Sequence, residues 1–280
     1  MLELNLYQRT CAECSQLITQ RYSTSFTMGI KAFATKFRMP IYSIYGFVRL
    51  ADEIVDTFHQ WDKKQLLDEF RVDTYRAIEL GISLNPVLEA FQKVVHDYQI
   101  EHELIEAFLD SMEMDLYDLE YDQALFEKYI YGSAEVVGLM CLRVFCEGNS
   151  TEYNDLKSSA RSLGSAFQKV NFLRDMKSDY EERGRLYFPG IDYPNFTDEQ
   201  KATIELDIKN DFEAAYEGIL KLPTGSRLGV YTAYRYYLQL LNKIQLIPSA
   251  KVKEERIRVP NQQKMYILFK SLLRHRLNLI

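Results

Sequence analysis

Two segments carry residue types whose spacing could do chemistry: Arg49-Leu-Ala-Asp52-Glu53-Ile-Val-Asp56 and Gln168-Lys-Val-Asn171-Phe-Leu-Arg174-Asp175-Met-Lys-Ser-Asp179. On a helix Asp52 and Asp56 lie one turn apart on the same face, about 5 to 6 Å between β-carbons, with Arg49 a turn earlier. Gln168, Asn171, Asp175 and Asp179 form a second ladder along one helical face, about 16 Å long at 1.5 Å per residue. Either carboxylate pair alone describes a solvated helix face as well as a site. Two pairs on two helices can hold hard divalent cations between them, each carboxylate supplying an oxygen while water and a substrate phosphate complete the shell. Such an arrangement suits a diphosphate leaving group, whose developing charge the metals neutralise while arginines and tyrosine hydroxyls complete the clamp. An allylic cation left behind is stabilised by aromatic faces, and the chain is 13% aromatic, with 20 Tyr and 16 Phe.

The elements that must position these residues read as helices. Only 12 Gly and 7 Pro occur in 280 residues, too few for a sandwich or barrel. Tyr42 to Phe58 and Leu163 to Tyr180 have helical periodicity. Breaks fall at Pro40, Gly81 to Pro86, Gly148 to Thr151, Gly184 to Pro194 and Pro223 to Gly225. No repeat, low-complexity segment or long polar linker interrupts them, so one all-α domain of roughly eight to ten helices is expected. Gly164, Ser165 and Ala166 are small, as close packing against a neighbour or a ligand requires.

Other features are blander. Cys11 and Cys14 form a lone C-x-x-C, which reads as reduced thiols, with Cys141 and Cys146, rather than as zinc ligands. Residues 101 to 127 hold ten acidic side chains and no Lys or Arg. Asp110 and Asp115 there could join a metal cluster, but the segment reads as a solvated acidic face. The four histidines lack metal-binding spacing, and no Gly-rich phosphate loop or dinucleotide fingerprint occurs. A net charge of −6 disfavours bulk attraction to nucleic acid or to anionic lipid. No apolar run reaches spanning length, Val136 to Cys146 being broken by Arg143. No cleaved signal is visible, and a cytoplasmic location is expected.

The tail differs from the rest. Residues 251 to 280 carry eight Lys or Arg against two Glu, +6 against −12 elsewhere. In the run Lys264 to Ile280, Met265, Leu268, Phe269, Leu272, Leu273 and Arg276 fit a helical stripe that either packs back on the domain or touches the inner face of a membrane.

The two acidic segments, with Tyr129-Ile-Tyr131-Gly132-Ser-Ala-Glu-Val-Val-Gly138-Leu-Met between them, resemble the signatures of the squalene/phytoene synthase family. Ser23-Thr-Ser25-Phe26, Tyr45-Gly46-Phe-Val-Arg49, Arg185-Leu-Tyr187-Phe-Pro189 and Arg256-Ile-Arg-Val-Pro260 extend the likeness, in family order, over about residues 15 to 262. The resemblance implies a single-domain isoprenoid-synthase helical bundle around a central active-site cavity. Residues 1 to 280 then form one catalytic domain ending in a basic amphipathic helix, 262 to 280, with no room for a spanning tail or a reductase module. It also implies head-to-head condensation of two prenyl diphosphates, and the wording is most like bacterial phytoene synthases, which would join two geranylgeranyl diphosphates. Asp52, Asp56, Asn171, Asp175 and Asp179 would bind Mg2+, or Mn2+, with the diphosphates. Ser23, Ser25, Arg49, Arg174 and Arg256 would contact phosphate, and Tyr45, Tyr129, Gln168 and Tyr237 would line the reacting centre. No NADPH is expected.

Three positions depart from the commoner pattern: Tyr22 where some relatives have His, Lys169 where an apolar residue is usual, and Ser133-Ala134-Glu135 in place of Val-Ala-Gly. Glu135 is expected to face outward or to pair with a base. The competing readings are a C30 squalene or dehydrosqualene synthase using farnesyl diphosphate and a non-catalytic relative serving as a binding module. A cyclising terpene synthase would normally show D-D-x-x-D, which is absent.

Overall fold

The computed structural model describes residues 2–117 and 120–280, and among them there are helices and no strand. Thirteen α-helices are present among the described residues, where the spacing of breaks suggests eight to ten. The excess comes from joints too short to read as breaks. Only Ser23 separates α1 (Leu2–Tyr22) from α2 (Thr24–Lys31), and a π-helical turn, Tyr131–Glu135, joins α7 (Gln123–Ile130) to α8 (Val136–Phe145) without interruption.

The expected stops are real with one exception. Pro40 lies inside α3 (Thr35–Thr57). Its missing N–H leaves the carbonyl of Lys36 without a helical partner, and Lys36 is exposed, so water can serve instead. Elsewhere the chemistry of the ends is as expected. Asp62 caps α4 (Lys63–Leu80), and Asn85 with Pro86 opens α5 (Pro86–Tyr98), which leads into α6 (His102–Met114). Asn149 caps α9 (Ser150–Arg183), and Thr197 forms a capping box on α10 (Asp198–Lys221). Pro223 precedes α11 (Thr224–Gln245), followed by a single turn, α12 (Ser249–Val252), and by α13 (Asn261–Arg276).

Two apolar clusters hold these helices. One gathers α3, α5, α6 and α8, with Phe47 stacked on Phe91 at 3.9 Å between ring centroids. The other gathers α9, α10, α11 and the segment after α9, with Phe172 stacked on Tyr187 at 4.1 Å. Burial of this kind supplies most of the folding free energy, about 25 cal/mol per Å² of apolar surface. The two acidic segments belong one to each cluster, on α3 and α9, and both line the cavity between them.

The π turn and Gly164 belong together. A β-carbon at Gly164 would lie 2.8 Å from the carbonyl oxygen of Ala134 and 2.9 Å from the α-carbon of Glu135, so only glycine lets α9 run this close to the turn. Single π turns inside helices recur at functional sites, and here the turn places Ser133 and Ala134 on the cavity wall.

Candidate active site

A cavity of about 540 Å³ opens between α3, α8, α9, α10 and α11. Five carboxylates, Asp52, Asp56, Asp115, Asp175 and Asp179, and five arginines, Arg49, Arg174, Arg183, Arg185 and Arg256, line it. The remainder is largely apolar, including Ile41, Leu142, Phe145, Leu156, Ile219 and Leu222. The helix α9 runs along both parts. From Asp175 back to Leu156 is nineteen residues, or about 28 Å of helix, so charge is confined to one end and the apolar walls lie far from it.

At the charged end each carboxylate meets an arginine. Arg49 donates to Glu53 at 3.1 Å, lies 3.7 Å from Asp52, and rests 4.3 Å from the centre of the Tyr22 ring. Arg174 donates to Asp175 from Nε at 2.9 Å, and Arg256 reaches the same carboxylate at 2.7 Å from a position largely in solvent. Arg183 donates to Asp179 at 2.9 Å. Arg185 donates to Asp56 at 3.0 Å and to the backbone oxygen of Asp115 at 2.6 Å. Gly184, at φ 68°, ends α9 in the left-handed conformation, and the next residue is this bridging Arg185.

The carboxylates remain strained despite these partners. Burial pushes Asp52 up to about 7, Arg49 opposing and Asp56, Asp115 and Glu53 adding to the rise. A third of the Asp52 side chain is open, 33%, on the cavity wall. Asp179 also rises to about 7, through burial and then the charge of Asp175. The amide oxygen of Asn171 is buried with no donor. Carboxylates raised toward neutrality by burial and by neighbouring acids, and an orphaned buried oxygen beside them, are what a hard divalent cation satisfies. Among the described residues no three His, Cys, Asp or Glu side chains stand close enough to form a ready-made group; the arginines lie between the pairs.

Aromatic rings fill the junction between the two ends. Tyr45 packs on Phe26 at 3.7 Å, and Tyr237 stacks on Phe167 at 4.0 Å. Burial raises both hydroxyls above the ordinary tyrosine value. Tyr129 donates to Asp115 at 2.7 Å and stacks on Tyr187 at 4.9 Å.

Of the residues singled out by sequence, Tyr45, Tyr129, Gln168, Tyr237, Ser23, Arg49, Arg174, Arg256, Asp52, Asp56, Asn171, Asp175 and Asp179 all line this cavity. Ser25 does not. It lines a smaller chamber of about 110 Å³ that shares Ser23, Phe26, Arg174 and Tyr237 with the main one.

Asp115 overturns the expectation of a solvated acidic face. Its side chain is only 6% exposed and accepts from Tyr129 and, at 3.0 Å, from Tyr187. It lies just past the end of α6, where the chain turns toward the cavity. Burial, offset by Arg185 and Tyr129, carries its carboxyl to about 6. Asp110, by contrast, pairs with Arg71 outside.

The three departures also resolve. Tyr22 lies under Arg49. Lys169 is buried and paired with Asp207 and Asp211 at 2.5 and 2.8 Å. Glu135 pairs with Arg161 at 2.6 Å. The four cysteines are free, and no helix among the described residues is long and apolar enough to cross a membrane.

Comparison with known proteins agrees with this geometry. The chain is 28% identical over 296 residues to phytoene synthase of Arthrospira platensis, covering 94% of this chain and 93% of that protein. It is 27% identical to the chloroplastic phytoene synthase of Daucus carota, over 88% of this chain but 66% of that longer protein. It is 33% identical to presqualene diphosphate synthase of Zymomonas mobilis over 67% of this chain and 61% of that one. In three dimensions a dehydrosqualene synthase crystallised with a ligand superposes with a TM-score of 0.81 at 21% identity, over 96% of this chain and 97% of the other. The sequence profile that describes squalene/phytoene synthases matches residues 19–263, and the chain belongs to that family.

Proposed function

We propose that the protein condenses two geranylgeranyl diphosphates head to head, giving phytoene through a cyclopropylcarbinyl diphosphate. The observation that carries this reading is one cavity with five carboxylates and five arginines at one end and apolar walls reached about 28 Å away along the same helix. An anionic headgroup and a long prenyl chain are the two halves of a ligand with that polarity.

Asp52 and Asp56 from α3, with Asn171, Asp175 and Asp179 from α9, would hold Mg2+ or Mn2+. Bound there, the metal would neutralise charge on the departing diphosphate. The rest of the chemistry belongs to the chain. Arg49, Arg174 and Arg256, with Ser23, bind phosphate oxygens, the arginines exchanging carboxylate partners for phosphate ones of matching fork geometry. Ser25 would act from the adjoining chamber, which it shares with Arg174. Arg183 and Arg185, at the end of α9 and just past it, reach Asp56 of α3 at 3.7 and 3.0 Å and so fix the spacing of the two acidic helices.

Once the first diphosphate leaves, the rings of Phe26, Tyr45, Phe167 and Tyr237 face the allylic cation and exclude water from it. The second molecule's double bond captures that cation, and loss of a proton from the tertiary cation so formed closes the cyclopropane ring. Departure of the second diphosphate permits rearrangement, and loss of a proton sets the central double bond. A released diphosphate is the nearest strong acceptor for that proton. Gln168 and Tyr129 orient the reacting ends, Tyr129 with its hydroxyl anchored on Asp115.

Mass analysis of the products formed when farnesyl and geranylgeranyl diphosphates are supplied together with Mg2+ tests the assignment. A C40 hydrocarbon is expected. Only C30 product would assign the protein to squalene or dehydrosqualene synthesis, and accumulation of a diphosphate intermediate would end the reaction at its first half. Asp52→Asn and Asp175→Asn should each abolish turnover, by about 10²-fold or more. Full activity in both would overturn the site and leave a non-catalytic helical relative as the better description.

A further inference from the structure

The helix α13 faces the wrong way for a domain that ends in water. Its inward side consists of Lys264, Ile267, Leu268, Ser271, Arg274 and His275, and Ser271 is the one buried residue of the sixteen. Its outward side carries Met265, Tyr266, Phe269, Leu272, Leu273 and Leu277, with Phe269 66%, Tyr266 63% and Met265 59% exposed. The sequence favours packing back on the domain for this run, and packing would turn the apolar stripe inward. The opposite occurs. A contiguous apolar helix face left in solvent marks a surface that something covers.

Two further observations point to the same occupant. Lys270 and Arg276 stand exposed among the apolar residues, and residues 261 to 280 contain no Asp or Glu in a chain of net charge −6. An apolar face fringed by cations alone is complementary to an anionic bilayer surface. The chamber of about 110 Å³ beside the active site has Lys264 and Ile267 of α13 in its wall, while Ser23, Phe26, Phe33, Arg174, Ala233 and Tyr237 belong to both it and the main cavity. The inward side of α13 therefore abuts space adjoining the charged end of the cavity, and its outward side is apolar.

We propose that the protein docks on an anionic lipid bilayer through the outward face of α13, bringing the side chamber, which the inward side of the same helix walls, to within one helix of the membrane as the route by which a prenyl chain passes between cavity and lipid. The need for such a route rests on the prenyl-transfer reading, whereas the docking itself does not.

The test is co-sedimentation of the full chain with vesicles of phosphatidylcholine alone and with 30% phosphatidylglycerol, about the anionic content that gives a surface potential of tens of millivolts. Wild type should bind the anionic vesicles, and binding should fall at high salt. Phe269→Glu with Leu273→Glu should weaken binding by about tenfold or more. Both side chains lie outside the cavity, so turnover of detergent-dispersed substrate should be unchanged. Turnover without vesicle binding would sink the docking and spare the reaction; vesicle binding without turnover would do the reverse. Vesicle binding that survives the double substitution overturns the assignment to this face. Wild type that ignores vesicles but forms a dimer that the same substitutions dissociate identifies a second copy as the occupant and also overturns it.

Discussion

Arg185 shows how much of this site depends on a residue the acidic motifs do not contain. Its guanidinium spans Asp56 and the backbone of Asp115, so it joins α3 to the end of α6, with the Asp115 side chain buried and that of Asp56 one quarter exposed. Removing a cation from such a network leaves buried negative charge without its partner, which costs about 3 kcal/mol. Arg185→Ala should therefore lower the urea midpoint and reduce kcat/KM by about 10²-fold, whereas Arg185→Lys should recover stability more than activity, because lysine keeps the charge but loses the two-pronged geometry. Urea melts and steady-state kinetics on the two variants check this. Equal loss in both variants would mean that the fork geometry governs stability as well as turnover. Sequence quotes this arginine within a family motif but gives no hint of its partners, and it misplaces Asp115 altogether. Ten acids in one segment look alike until a turn after Met114 buries one of them.

Spacing along helices made the two ladders on α3 and α9 legible, because periodicity reports which side chains share a face before anything is known of the fold. Gly164 was legible only as a small residue; that its partner is the backbone of a π turn was not, since nothing local distinguishes a π turn from continued α-helix. Gly164→Val should destabilise by about 1 to 3 kcal/mol, measured by denaturant unfolding, since the Ala134 carbonyl 2.8 Å from the new β-carbon cannot yield without unwinding the turn. Activity should fall further than stability alone accounts for, because Ser133 and Ala134 move with it. A second joint, between the start of α6 and α8, gives a pH-dependent term. Glu101 accepts from Arg143 at 3.0 Å, with the guanidinium 3.5 Å above the Tyr153 ring. Burial alone would raise the carboxyl; the Arg143 bond, then the backbone and Lys157, outweigh it and hold it below the ordinary glutamate value of 4.5. Its folded state thus binds the proton less readily than the unfolded chain does. The stabilisation is complete above the unfolded value and disappears as pH falls through the folded one. Glu101→Gln should cost about 1 kcal/mol at pH 7, and the gap in melting temperature from wild type should narrow as the pH falls below the ordinary glutamate value. A gap that does not narrow on acidification would show that packing, and not the charge, is lost.

The length and polarity of the whole cavity set the product, and neither is a property of any motif. α9 carries the charged end at Asp175 and the apolar end at Leu156, while α10 and α11 contribute Ala215, Gly218, Ile219 and Val230 to the wall. Small side chains recur toward that end: Ser159, Ala160, Gly138 and Gly218 all line it. Gly218 and Gly138 are small because helices meet there, Gly138 lying where a β-carbon would come 3.2 Å from the Ala160 carbonyl. Ala160 lines the same wall, and a larger side chain there takes up cavity space. Each isoprene unit shortened or excluded is worth several methylenes of apolar contact, so a single bulky side chain here discriminates between substrates by more than it costs in stability. Ala160→Phe should cut kcat/KM for geranylgeranyl diphosphate by roughly tenfold or more while farnesyl diphosphate is turned over at least as well, and Ala160→Leu should fall between. Competition assays with both substrates, read by product mass, measure the ratio directly. If the wild type makes C40 product and Ala160→Phe leaves the ratio untouched, the prenyl chains run toward α13 and not down α9, and the side chamber, with Ser25 and Ile267 in its wall, becomes the place to block instead.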